Sequence, residues 1–331
     1  LMQGGTHLQF DSIRPTTLRP FGLIWTGPCE AGATVEVRIG FSLRGVEQAR
    51  ANLAADLADG GHAERRSATV STWAEHLDTI HVETASSERR TVFATAMYHA
   101  LIKPCLAPDE SPFWPASGPF AFDICTMWDV YRTQLPLITA LFPERAVELA
   151  NALLYVAEEE GNRPIGYRMA KRADRFFRQG SALAHTFLAD LCDLGLSGID
   201  WDRALCHMGP DLRRQFGEEF LEHGIAHPIT HTLDLATGYH CTALVARSVG
   251  DDELADQFAT LATRWVNAID PTTGLVVEST FYEGGRWNYS FRLLHDMSRR
   301  IAMAGGEAAY LDLLDRFFGF DADPVKQMGI D

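Results

Sequence analysis

From Thr91 onward the sequence repeats one pattern, and that pattern limits the fold more than any single residue does. Apolar residues recur at three- and four-residue spacing near 91–103, 124–141, 144–160, 180–196, 235–249, 251–268, 290–304 and 307–318, while strand-like alternation nearly vanishes. In the segment 251–268, Asp251, Asp252 and Glu253 complement the positive end of a helix dipole. Leu254, Phe258, Leu261 and Trp265 form its apolar stripe. Brief turns such as Leu141-Phe142-Pro143 alternate with long polar or aromatic loops at 104–123, 161–179 and 209–230. Long loops inside a compact helical domain are usually functional. A ring of helical hairpins, short turns on one rim and long loops on the other, accounts for this alternation better than a straight bundle.

The first 60 residues differ. Val35, Val37, Ile39, Phe41 and Leu43 alternate with Glu36, Arg38 and Ser42, the period of a half-buried strand over 34–43. Gly, Pro and Thr are frequent up to residue 45, an Ala-rich helix is expected over 46–58, Gly60-Gly61 breaks it, and a short strand is expected at 80–83. Residues 1–60 are therefore expected to be the last strands of a β domain with a linker helix, and 61–331 a helical domain. The chain starts without an initiator Met and ends without a cap or stop after Pro324, so both ends are expected to be cuts through a longer protein.

Composition excludes several classes. With 46% hydrophobic residues the chain can build a sizeable core. Its formal charge of −15 leaves no concentrated basic surface for a phosphate backbone, so no nucleic-acid partner is expected. Six cysteines show no Cys-x-x-Cys pair and read mostly as buried thiols. No apolar run approaches a membrane span, and the start lacks the blocks of a signal peptide. No nucleotide-binding glycine motif and no nucleophilic serine elbow is present.

Asp234, in Thr-His-Thr-Leu-Asp-Leu-Ala at 230–236, and Glu283, in Tyr-Glu-Gly-Gly-Arg-Trp-Asn-Tyr at 282–289, stand where loop gives way to helix, beside aromatic or His residues. Together they read as acid groups placed around a sugar. His227, His231 and His240 flank Asp234 and read as loop histidines.

Gly40–Leu53 and Phe93–Leu101 resemble segments of glycoside hydrolase family 92. The likeness continues in order through Met127–Arg132, Thr232–Asp234, Glu283-Gly284, Trp287, Tyr289 and His295-Asp296, and covers most of 36–320. The resemblance implies a calcium-dependent exo-α-mannosidase with a β-sandwich leading into an (α/α)6 barrel, acting on mannose-containing oligosaccharides or glycoprotein glycans. An inverting enzyme of this kind needs a proton donor and a separate carboxylate base, roughly 6.5–9.5 Å apart. Asp234 matches the place of the family's Glu acid and is the expected donor, one methylene shorter; a helix-cap or dipole role is the alternative. The family's base lies beyond the point matching Asp331, so the resemblance implies that this polypeptide alone hydrolyses nothing.

By the same resemblance Trp128 and Asp129 grip the terminal sugar, assisted by Arg132; an Asp129–Arg132 pair on one helix is the alternative. Tyr282 and Glu283 line the leaving-group side, with Tyr282 where relatives cutting α-1,2 bonds carry His. Asn288 falls near calcium, and His295-Asp296 belong to the pocket or to a helix interior. Gly238-Tyr239 replace an acidic pair. Location is unknown from the chain itself and periplasmic or secreted by resemblance. Two alternatives stand beside the mannosidase: a helical-barrel glycosidase for another sugar, and a non-catalytic carbohydrate-binding homologue.

Overall fold

A computed structural model describes residues 2–3, 6–7, 30–34, 36–57, 60–112, 118–122, 124, 126–160, 180–214, 216–277, 285–292 and 294–320. The chain divides into two compact units, Leu1–His81 and Val82–Asp331.

In the first unit, β1 (Met2–Gln3) pairs antiparallel with β2 (Thr6–His7), and two helices follow, α1 (Val46–Leu57) and α2 (His62–Leu77). The strand expected over 34–43 is not formed: described residues there are irregular, and Val37, Ile39 and Phe41 are 60%, 83% and 71% exposed. Alternation alone does not make a strand. A ladder needs a neighbour to take its N–H and C=O groups, and no described segment supplies one. Residues 80–83 are likewise irregular. Helix α2, absent from the sequence reading, is started by Glu64, whose side chain accepts the Gly61 backbone N–H at 3.1 Å.

The second unit is mainly helical, as the periodicity requires. In order come α3 (Ser87–Leu101), the pair β3 (Cys105–Leu106) and β4 (Ala121–Phe122), then α4 (Met127–Val130), α5 (Gln134–Leu141), α6 (Pro143–Glu160), α7 (Leu183–Asp193), α8 (Trp201–Leu212), α9 (Gly217–His223), α10 (Thr230–Ser248) and α11 (Asp252–Ala262). A 3-10 turn (Thr263–Ala268), α12 (Arg286–Ser290), α13 (Met297–Met303) and α14 (Glu307–Phe318) complete it. Segments expected as single helices at 124–141 and 290–304 are each broken in two. The loop expected over 209–230 is largely helical, because α8 runs through Gly209 and Pro210 and α9 follows after a few residues. No described helix is long and apolar enough to cross a membrane.

Helix α10 is the hub, packed against α7, α8, α11 and the 3-10 turn. One cluster of buried apolar residues, including Met127, Leu153, Leu154, Phe187, Leu188 and Met208, gathers α4 to α8; a second, including Phe220, Leu235, Tyr239 and Trp265, joins α9, α10 and the 3-10 turn. Gly238 permits the contact. A Cβ there would stand 2.7 Å from both the Ala182 methyl and Leu212 Cδ2. Two buried hydroxyls of α10 are satisfied within the helix: Thr237 donates to Leu233 O at 2.9 Å and Thr242 to Gly238 O at 2.8 Å. Asp251 caps α11 by accepting from Leu254 N at 3.1 Å, and Trp265 is fully buried, in keeping with the stripe read from 251–268. The cysteines depart from expectation: of the described ones only Cys241 is buried, while Cys105 and Cys206 are exposed and Cys192 is intermediate.

Candidate functional site

Four parts of the second unit meet at one hollow of about 270 Å³, lined by Trp128, Asp129, Tyr131, Leu183, Thr230, Leu233, Asp234, Asn288, Tyr289 and Arg292. The short helix α4 brings Trp128 and Asp129 after Thr126, which takes the left-handed conformation at φ 48°. The first turns of α10 bring Thr230, Leu233 and Asp234, and α12 with the residues after it brings Asn288, Tyr289 and Arg292. Ala182, also left-handed at φ 53°, turns the chain into α7 beside them. A non-glycine residue there is disfavoured by about 1–3 kcal/mol, and such positions gather at functional sites.

Asp234 is 4% exposed and is not a helix cap. Its Oδ1 is ion-paired with Arg292 Nη1, and its Oδ2 accepts the Ser181 backbone N–H at 2.9 Å. The Ser181 hydroxyl in turn meets His231 Nδ1 at 2.8 Å, and the His231 ring stacks on Phe216 at 4.0 Å. His231 is thus a fully buried member of α10, not a loop residue. Arg292 Nη2 donates to Tyr131 Oη at 2.9 Å, and the guanidinium carbon lies 5.7 Å from that ring's centre. Burial draws the Arg292 pKa down, but the Asp234 carboxylate and Tyr131 outweigh it, and the net shift is upward.

The other expected residues divide. Trp128 and Asp129 share the hollow with Asp234, and Asn288 lies on its wall. Arg132 is not in the lining; its guanidinium lies 5.3 Å from the centre of the Tyr131 ring and its charge acts on Asp190. Asp296 caps α13, accepting from Arg299 N at 3.0 Å. His295 stacks on His240 at 4.4 Å, and burial, with the neighbouring imidazole, lowers its pKa to about 4. His240 is itself a residue of α10, and His227 meets Glu219 at 3.0 Å. Tyr282 and Glu283 lie outside the described residues. Gly238 and Tyr239 are core positions; Tyr239 is buried between Phe220 and Phe258, each 5.6 Å away ring to ring.

Sequence reasoning missed Arg292, Ser181 and Thr230. Arg292 carried one signal: a lone charge in the run Phe291–Leu294, which burial obliges to find a partner.

Calcium takes six to eight oxygen ligands with several carboxylates. Among the described residues no three His, Cys, Asp or Glu gather as an ion cage. In the hollow, Asp234 is already paired with Arg292, leaving exposed Asp129, the Asn288 amide and the Thr230 hydroxyl. The described donor set does not fit a divalent ion.

Residues 48–330 match the Glycosyl hydrolase family 92 catalytic domain. The fold is similar to the family GH92 inverting mannosidase BT2199 of Bacteroides thetaiotaomicron VPI-5482, with a TM-score of 0.71 and 20% identity over 85% of this chain and 44% of that one. It is similar to the family GH92 α-mannosidase BT3965 of Bacteroides thetaiotaomicron, with a TM-score of 0.72 and 21% identity over 84% of this chain and 42% of that one. The complex of BT3965 with mannoimidazole gives 0.72 and 20%, over 84% and 41%. At these identities the likeness is one of fold, and the chain spans less than half the length of these structures. No curated protein matches the sequence.

Proposed function

The chain belongs to glycosyl hydrolase family 92, and from that premise we propose that it forms the sugar-gripping part of an exo-acting, inverting α-mannosidase. The observation that carries this reading is the meeting of Trp128, Asp129 and Asp234 in one hollow of about 270 Å³. That volume falls below the range of about 300–1,000 Å³ that suits drug-sized ligands, so it fits one sugar ring rather than a chain of them. The indole covers the apolar C–H side of a pyranose while carboxylates accept from its hydroxyls. Asp234 is the proposed proton donor, and the base comes from sequence outside the described residues. Calcium, expected by resemblance through Asn288, enters no step here because the described donors do not fit it.

One observation favours a second reading, in which the hollow binds sugar without cleaving it. A general acid must hold a proton before the bond breaks. Asp234 pairs with Arg292 through one oxygen and accepts from Ser181 on the other, so both of its oxygens are already engaged. Calorimetry with methyl α-mannoside and mannose release from an aryl α-mannoside, both on the full-length natural protein, separate the readings. Binding with release supports the enzyme, binding without release supports the non-catalytic homologue, and absence of both defeats the mannose assignment.

A further inference from the structure

We infer that Arg292 is the resident cation of this hollow, and that the site takes the vicinal hydroxyls of its sugar through the guanidinium without calcium. The inference deepens the sugar-site reading above and stands on a separate observation, the placement of the guanidinium. Nη1 pairs with Asp234, Nη2 donates to Tyr131 Oη, and the Tyr131 ring lies beneath at 5.7 Å. These contacts pin the side chain, so its position on the wall is fixed before any ligand arrives.

Among the described residues, the charges facing the hollow are Asp129, Asp234 and Arg292. The buried carboxylate is compensated by the guanidinium, so a divalent ion entering here would meet a fixed positive charge and one exposed carboxylate. It is repelled twice as strongly as a monovalent ion would be. The guanidinium also supplies what the ion would otherwise contribute, a positive charge beside ring hydroxyls. Arginine has five N–H donors in a planar fork, and two are committed to Asp234 and Tyr131. Arg292 Nε is buried and has no hydrogen-bond partner among the described residues. Two adjacent ring oxygens match the spacing of such a fork.

The test is calcium titration by calorimetry of the native protein, of Arg292→Met and of Arg292→Lys, alongside methyl α-mannoside titration with and without a chelator. The native protein and Arg292→Lys should take up no calcium at concentrations below about 1 mM, the weak end of protein calcium sites. Arg292→Met leaves Asp234 uncompensated and should bind calcium about tenfold or more tightly than the native protein. Methyl α-mannoside binding should be unchanged by the chelator and reduced in Arg292→Met. Calcium uptake by the native protein well below that concentration, or sugar binding abolished by the chelator, overturns the inference. If Arg292→Met fails to fold, the Lys variant and the native titration still decide it. Absence of mannoside binding under every condition ends the sugar reading, while the calcium titrations continue to decide which cation belongs there.

Discussion

Helices α2 and α10 are similar in length and opposite in circumstance. Helix α2 has no buried residue, whereas α10 buries fifteen, including His231, Asp234 and Tyr239. What makes α2 a helix is local: the Glu64 side chain on the Gly61 N–H, and residues of fair helix propensity. What makes α10 a helix is its surroundings, since its threonines and Gly238 are poor helix formers on their own. The lesson is that helical character and core membership are separate properties. Only the second places chemistry, because a buried carboxylate such as Asp234 needs partners that a solvated one finds in water.

Four measurements would break or sharpen this contrast. Trp265→Ala empties a fully buried position in the cluster beside α10 and should destabilise the protein by about 4 kcal/mol in chemical denaturation. Gly238→Val drives a branched side chain into Ala182 and Leu212 and should cost about 2 kcal/mol, read by the same method. A smaller effect comes from pH. Burial holds the His295 imidazole near 4 against an ordinary 6.5, and His240 is lowered too, so in that window the unfolded chain binds more protons than the folded one. Stability should therefore be full above about pH 6.5 and fall as pH drops toward 4, and His295→Gln should flatten the slope of melting temperature against pH. Smallest of all, Val70→Ser on α2, at a site 54% exposed, should move stability by less than about 0.5 kcal/mol. A larger loss there would mean that α2 is covered by something in solution.

Much of the second unit was legible because amphipathic spacing at 144–160, 251–268 and 307–318 reports directly on packing. Helices α8 and α9 were hidden because Gly209, Pro210, Gly217 and Gly224 are turn residues by habit; here Pro210 sits near a helix end, and Gly224 takes a left-handed φ of 73° as the cap of α9. The 34–43 alternation misled for the reverse reason, since its pattern states a preference that only a neighbouring strand can realise. In the hollow, Trp128, Asp129 and Asp234 could be gathered from the order of motifs along the chain. Arg292 could not, because one arginine among apolar residues looks the same in sequence whether it reaches water or a carboxylate 58 positions away.

Thr126 and Ala182 carry a consequence for how this protein can drift. Each holds a backbone shape that most side chains resist, and each places a neighbour of the site: Trp128 and Asp129 on the hollow after one, the Ser181 amide on the Asp234 carboxylate before the other. Tolerance at these two sites is thus a matter of main-chain freedom more than of side-chain chemistry. In a saturation library Gly and Asn should survive where Val and Ile vanish, a signature opposite to that of the helices on either side.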